Sequence, residues 1–415
     1  MNAFISYRNV LVLALCLVFI IAFVPYMTKV TDSTLLVAPL ALICVSFIIT
    51  PIIMARKIAY ILKSLRRSRI LFLVFVLPAA PTLIAVLNGQ LSSMLYAILM
   101  SVVLAAMQVI LVIVSLDGLV VALSLAALVC VPAFIFTSLP GLSEALRSGG
   151  RFIPSAAQPN AVAFIFVGFA IACIWQLLRA ETQTIVRLMY LVVVIMASSV
   201  IFMASSRASM LALGLALLVP FSIYELKLLS AGRAQKYIFV ILSIAVVGFV
   251  IIFMTLRWET LTRLSGYMMH ILAINSRHRG LSSGLSGRLV RWDKTLLAIF
   301  SGLTWLVGAG YRTSGSELGF SVDNGYLTLW YESGLLGMFF IVGQMIWLAI
   351  TSASAIRRGP IRNNLSRFML LGFVVALLIN NIFDRYLFGL GNPFSLFALG
   401  TLLINRDDLA RIFET

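Results

Sequence analysis

Long runs of apolar positions, separated by short clusters of Arg, Lys, Gly, Pro and Asn, dominate the chain. The runs are continuous rather than alternating, and each approaches the roughly 20 residues that a helix needs to cross a bilayer. They predict twelve helices, over 9–27, 34–54, 70–88, 92–115, 118–139, 159–178, 184–204, 208–226, 236–255, 325–350, 367–383 and 387–404. The first run, Val10 to Tyr26, exceeds the apolar core of a cleavable signal and has no small-x-small site after it, so it is read as the first helix. One stretch, 256–323, breaks the pattern; it is rich in Arg, Ser and Gly and forms the large extramembrane segment. The expected organisation is helices one to nine over 1–255, a large loop over 256–323, and helices ten to twelve with a short tail over 324–415.

Composition strengthens the membrane reading. Of 415 residues, 62% are hydrophobic and 11% charged, against about 45–50% and about 25% in soluble domains. The excess apolar surface has to face lipid. Cys16, Cys44, Cys130 and Cys173 all fall inside apolar runs and are read as small packing residues.

The formal charge of +17 would suggest nucleic acid in a soluble protein. Here it is assigned to topology, with no nucleic-acid partner, because Lys and Arg flank membrane spans on the cytoplasmic side. Arg56 to Arg69, Arg179 with Arg187, Lys227 to Lys236, Arg357 to Arg367, and Arg406 with Arg411 mark short basic loops and the tail. With twelve spans all of them fall on the side of the N-terminus, which places both termini in the cytoplasm.

A second set of cations is left on the opposite side: Lys29, Arg147, Arg151, Arg207 and Arg385, and in the large loop Arg257, Arg263, Arg277, Arg279, Arg288, Arg291, Lys294 and Arg312. The acids of the large loop are few, namely Glu259, Asp293, Glu317 and Asp323. Such a surface attracts anions, and the planar fork of Arg suits phosphate. The natural anion at that depth is a lipid phosphate or pyrophosphate. Headgroup binding without chemistry is the plainer reading of the same charge.

Particular positions sharpen this. Arg207, in Ser205-Ser206-Arg207, sits at a tight junction of two helices, where a charge is costly without a partner or ligand; a snorkelling Arg is the bland alternative. Arg151 precedes Gln158-Pro159-Asn160, and Pro159 and Asn160 are also ordinary helix-start residues. Asp323 is well placed to cap the tenth helix. Glu332 is costly in hydrocarbon and is expected to pair with an arginine. Asp384-Arg385 reads as a local ion pair. His270 and His278 match no metal-ligand spacing; Asp407-Asp408 resembles half of a metal-binding carboxylate pair but reads as a solvated cytoplasmic tail, and the large loop holds no Asp-x-Asp, so no metal and no cofactor is expected.

Four motifs follow in order: Arg151 with Pro159-Asn160; Ser205-Ser206-Arg207; Ser286-Gly287-Arg288 with Trp292 and Gly308-Ala309-Gly310; and Asp323-Asn324-Gly325-Tyr326-Leu327 with Glu332-Ser333-Gly334. Together they resemble the O-antigen ligase and Wzy-type polysaccharide polymerase superfamily, with the exopolysaccharide polymerases nearest, over about residues 145 to 400. The resemblance implies an all-α, polytopic, GT-C-like inverting glycosyltransferase of a bacterial inner membrane with a periplasmic active site. It would join undecaprenyl-pyrophosphate-linked oligosaccharides into exopolysaccharide or O-antigen. It implies catalytic roles for Asp323, Arg207 and Arg288, and substrate contacts from Arg151, Arg291, Asn160, Asn324, Arg312, Tyr326 and Glu332. Expected partners are the polyprenyl-pyrophosphate-linked donor and acceptor, membrane lipid, and a chain-length regulator or export complex. Ligases of this superfamily usually carry His where this chain has Asp323, which favours the polymerase branch. A ligase is the alternative of the same chemistry, a flippase for lipid-linked sugars the alternative of another class, and a lipid-binding scaffold the third.

Overall fold

A computed structural model of the protein describes residues 2–27, 41, 83–84, 86–87, 89–148, 152–154, 158–179, 183–204, 206–230, 288–358, 361–384 and 392–402. Among the described residues the structure is entirely helical, without strands. In chain order the helices are α1 (Asn2–Met27), α2 (Leu91–Ser148), α3 (Pro159–Leu178), α4 (Thr184–Met203), α5 (Arg207–Ser230), α6 (Arg288–Ile299), α7 (Thr304–Val307), α8 (Thr313–Leu318), α9 (Gly325–Arg358), α10 (Ile361–Phe383) and α11 (Pro393–Leu402).

Eight segments among them are long and apolar enough to cross a membrane: Arg8–Met27, Leu91–Gln108, Val114–Ala145, Pro159–Leu178, Thr184–Met203, Arg207–Tyr224, Gly325–Arg358 and Leu365–Phe383. Large aliphatic side chains line their outer faces. On α4, Ile185, Leu188, Leu191 and Ile195 are all exposed, an apolar surface suited to lipid. The chain is a multi-pass membrane protein.

Helix α2 runs for 58 residues, far longer than a bilayer is thick. It breaks at Ser115, whose φ of 64° is left-handed. Side chains of both Met107 and Leu119 pack on Gly400 of α11, although twelve residues of straight helix would separate them by about 18 Å. The chain therefore folds back at Ser115, and the two halves are separate spans, as the sequence predicts.

Helix α3 is apolar on every side and is buried from Ala161 to Trp175 almost without interruption, so it occupies the centre of the bundle. Around it α1 packs on α2, α4 on α3, α5 on α10 and α9 on α10. Phe23, Phe134, Phe166 and Phe169 form a ring cluster on one flank of α3, with centroids 5.2–6.1 Å apart. Cys16, Cys130 and Cys173 are buried and unbridged in this core, and Cys44 lies outside the described residues.

Several boundaries differ from the sequence reading. The fifth predicted helix continues past 139 to Ser148, because Leu142 and Ala145 extend its buried face. The last helix starts at Pro393 rather than 387; the Asn392 side chain accepts the Phe394 and Ser395 N–H groups at 2.9 and 3.0 Å and caps it. The described part of the large loop is itself helical, holding α6, α7 and α8. The predicted helix over 236–255 lies outside the described residues, as does all but residue 41 of 34–54 and nearly all of 70–88.

The helix ends sort into two groups. At one end the Ser115 break brings Asp117 to Ser366 at the start of α10, 2.9 Å from hydroxyl to carboxylate. Arg187 of α4 donates to the Arg179 carbonyl at 2.8 Å. At the other end lie the starts of α3, α5, α9 and α11, the end of α10, and all of α6, α7 and α8. The second group holds the candidate site.

Candidate functional site

Three turns of helix, α6, carry Arg288 and Arg291 on one face, as a spacing of three residues requires. The same face continues into Thr295 and Ile299, both fully buried, so packing of the inner face aims the two guanidinium groups at the bundle. They meet two carboxylates from distant parts of the chain. Arg291 Nη1 lies 2.8 Å from Asp323 Oδ2, and Arg288 Nε is 4.0 Å from the same oxygen. Arg288 Nη2 is 3.9 Å from Asp384 Oδ1. The Asn160 amide, on the first turn of α3, donates to that Asp384 oxygen at 3.3 Å.

The two carboxylates differ in access. The Asp323 side chain is 23% exposed and that of Asp384 is 7% exposed, so Asp323 is the one a substrate can reach. Its Oδ2 faces the two arginines, while Oδ1 accepts the Ser321 hydroxyl at 3.0 Å. Arg291 also donates to the Ser321 carbonyl at 3.4 Å, which fastens α6 to the segment just before α9.

Asp323 does not cap α9. The neighbouring Asn324 does: its Oδ1 accepts the Tyr326 and Leu327 N–H groups, both at 3.0 Å, and its Nδ2 donates to the Ile382 carbonyl at 3.0 Å. Tyr326 donates its hydroxyl to the Leu378 carbonyl at 2.7 Å. These two predicted substrate contacts thus tie α9 to α10, and the tie presents Asp323 beside Asp384. A cap by Asn frees the preceding Asp for other work.

Arg207 is the first residue of α5 and is half-buried. Next to it Ser206 donates to Ser209, whose hydroxyl accepts the Asn380 amide at 3.1 Å. Asn380 lies one turn before Asp384, whose N–H it accepts. Arg207 therefore stands at the same end of the bundle, on the flank of α10 that leads to the cluster. Arg151 lies outside the described residues. Its neighbour Phe152 is buried against Phe134 and donates its N–H to the Met203 carbonyl at 2.9 Å, so that segment is anchored beside the α4–α5 junction.

Arg312 and Glu332 belong to a second contact region. Arg312 sits over the Tyr96 ring at 5.2 Å, and Glu332 accepts the Ser314 hydroxyl at 2.6 Å. Beneath them the loop 308–310 pairs its backbone with α9 at the Gly334 break: Ala309 N–H donates to Tyr331 O and Gly310 N–H to Glu332 O. A Cβ on Gly308 would strike the Glu332 carbonyl, and one on Gly334 the Leu306 carbonyl. This explains the glycines of both motifs. Tyr311, buried on this loop, has its phenol pushed well above its ordinary range, first by burial and then by Glu332 and Tyr96.

The sequence reading paired Asp384 with Arg385, which lies outside the described residues; among the described residues Asp384 meets Arg288 and Asn160. A carboxylate alone at the end of an apolar run was the available signal. His270, His278 and Asp407-Asp408 are also outside the described residues. Among the described residues no three side chains of His, Cys, Asp or Glu gather as a metal ion would require. In comparisons with known proteins, no family model and no curated protein matches the chain.

Proposed function

We propose that the chain is a polysaccharide polymerase that joins polyprenyl-pyrophosphate-linked repeat units at the non-cytoplasmic face of a bacterial inner membrane. The observation that carries this reading is the meeting of Arg288, Arg291, Asp323, Asp384 and Asn160 at one end of a membrane bundle. The opposite end carries Arg179, Arg187, Arg357 and Arg358, and the positive-inside rule makes that end cytoplasmic. The full fold in this reading has twelve spans of GT-C-like kind with both termini inside.

The chemistry is attack by an acceptor sugar hydroxyl on the donor's anomeric carbon, with inversion. The new carbon–oxygen bond forms as the bond to the lipid pyrophosphate breaks, and the pyrophosphate leaves with the electron pair. The acceptor proton passes to Asp323, whose Oδ1 is the oxygen turned away from the arginines. Two arginines and two aspartates are formally balanced, so the charge that holds a pyrophosphate has to come from further cations, Arg207 at this end first and, by the sequence reading, Arg151. Guanidinium groups that already hold a carboxylate keep free N–H groups for phosphate oxygens, and fixed cations stabilise charge as it develops on the leaving group.

The test is purified protein reconstituted with lipid-linked repeat units, with products resolved by size. A ladder of longer lipid-linked glycans supports the polymerase. Transfer to a separate acceptor lipid assigns a ligase, and translocation without reaction assigns a transporter. Arg207→Ala and Arg288→Ala should insert into the membrane and form no product; full activity in both overturns the site. Arg207→Lys should also be impaired, since an ammonium cannot make the two-pronged contact.

A further inference from the structure

Helix α6 has an outer face as distinctive as its inner one. Opposite the arginines it exposes Leu289, Val290, Leu297 and Phe300, and the turn into α7 adds Leu303. Leu297 is 74% and Leu303 71% exposed, in a segment that composition places outside the membrane spans. Water would not favour such a patch.

Its height in the structure says what covers it. The Phe300 ring packs edge-on against Trp330 of α9 at 5.4 Å, and Trp330 donates its indole N–H to the Trp305 carbonyl at 2.9 Å. Helix α9 ends at Arg357 and Arg358. Counting back about 20 residues for a crossing puts the far edge of the hydrocarbon near Gly337. Leu336 and Phe339, exposed on α9, mark that edge. Trp330 and Trp305 then stand at headgroup level, where tryptophan is favoured. The exposed patch of α6 and α7 is thus continuous with the lipid-facing stripe of α9, which runs on through Ile346 and Ile350. Asp293 and Lys294 interrupt the patch, which fits headgroup depth rather than the hydrocarbon centre.

We propose that α6 and α7 lie on the membrane, with Leu297, Phe300 and Leu303 seated in the lipid headgroup and upper acyl region of the leaflet at that end. The inner face of the same helix then holds Arg288 and Arg291 at the depth where a lipid carries its phosphate. The docking itself is independent of the proposed glycosyl transfer.

The test places a single cysteine at Leu297, or at Leu303, in full-length protein lacking Cys16, Cys44, Cys130 and Cys173. The label is a nitroxide, and the protein is held in nanodiscs of phosphatidylethanolamine and phosphatidylglycerol. Ile346→Cys serves as the lipid reference. Both α6–α7 labels should collide more with oxygen than with a water-soluble nickel chelate, with the same sign of depth parameter as Ile346. More collisions with nickel mean a water-facing patch and overturn the proposal. Protection from both means that protein covers the patch, residues 231–287 among the candidates, and overturns it equally. Both positions are largely exposed, so either variant alone suffices if the other fails to insert.

Discussion

Arg291 and Asp323 meet at 2.8 Å between Nη1 and Oδ2, joining the short helix α6 to the residue just before α9. The pair lies at one end of a membrane bundle, and the helix cap that Asp323 was equally suited to form is made by Asn324. That division of labour makes the role of Asp323 testable without unfolding α9.

Asp323→Asn should lower product formation by at least about 100-fold, the usual range for loss of a general base. Its thermal stability should change little, because a partly exposed ion pair contributes about 1 kcal/mol or less. Ladder formation and a melting curve on the same sample check both. Unchanged turnover would reduce Asp323 to an anchor for Arg291.

Arg288 and Asp384 form a natural pair for a double-mutant cycle. Arg288→Ala and Asp384→Ala should each destabilise the protein, and the double variant should cost less than their sum by about 0.5–3 kcal/mol. Strict additivity in denaturation would mean that the 3.9 Å approach carries no energy.

Asn324→Ala should destabilise by about 0.5–2 kcal/mol through loss of the cap, with a further loss from the Ile382 contact. Asn324→Asp keeps the capping oxygen but not the amide donor, so its melting temperature should fall between those of the native protein and Asn324→Ala.

Gly334→Ala should be among the most damaging single changes outside the charged cluster. Its φ of +70° disfavours any side chain, and the added Cβ meets the Leu306 carbonyl. Backbone strain alone costs about 1–3 kcal/mol. The yield of folded, monodisperse protein should drop sharply, and Gly308→Ala should behave alike.

Tyr311 predicts an alkaline transition. Burial raises its pKa in the folded protein, whereas an unfolded tyrosine ionises near pH 10. Folded packing of this loop is therefore at full strength below about pH 10 and weakens as pH rises further, since the open form releases the proton first. Tyr311→Phe should flatten the loss of thermal stability as pH rises above about 10.

Eight spans were legible as apolar runs, because crossing a bilayer is a one-dimensional demand: enough consecutive apolar residues, with charge at the ends. The split at Ser115 was legible too, from the polar Ser115 and Asp117 with Gly118 between two apolar runs. Arg207 could be picked out as a charge too costly to be incidental, and Arg288 and Arg291 as part of an excess of outer cations, whereas Asp323 was singled out by the family resemblance. Their partners could not be picked out. Asp384 is 61 positions from Asp323, and nothing local says that α10 lies against α9 with its end beside α6. Likewise, Asp323 and Asn324 are both good capping residues, and the Ile382 carbonyl, brought up by packing of α9 on α10, selects Asn324. The helicity of α6 was missed because its apolar positions serve two surfaces, one against the bundle and one turned outward. Local hydropathy sorts residues into membrane and water; the choice among possible polar partners needs contacts between residues far apart in the chain, which exist only once the helices pack.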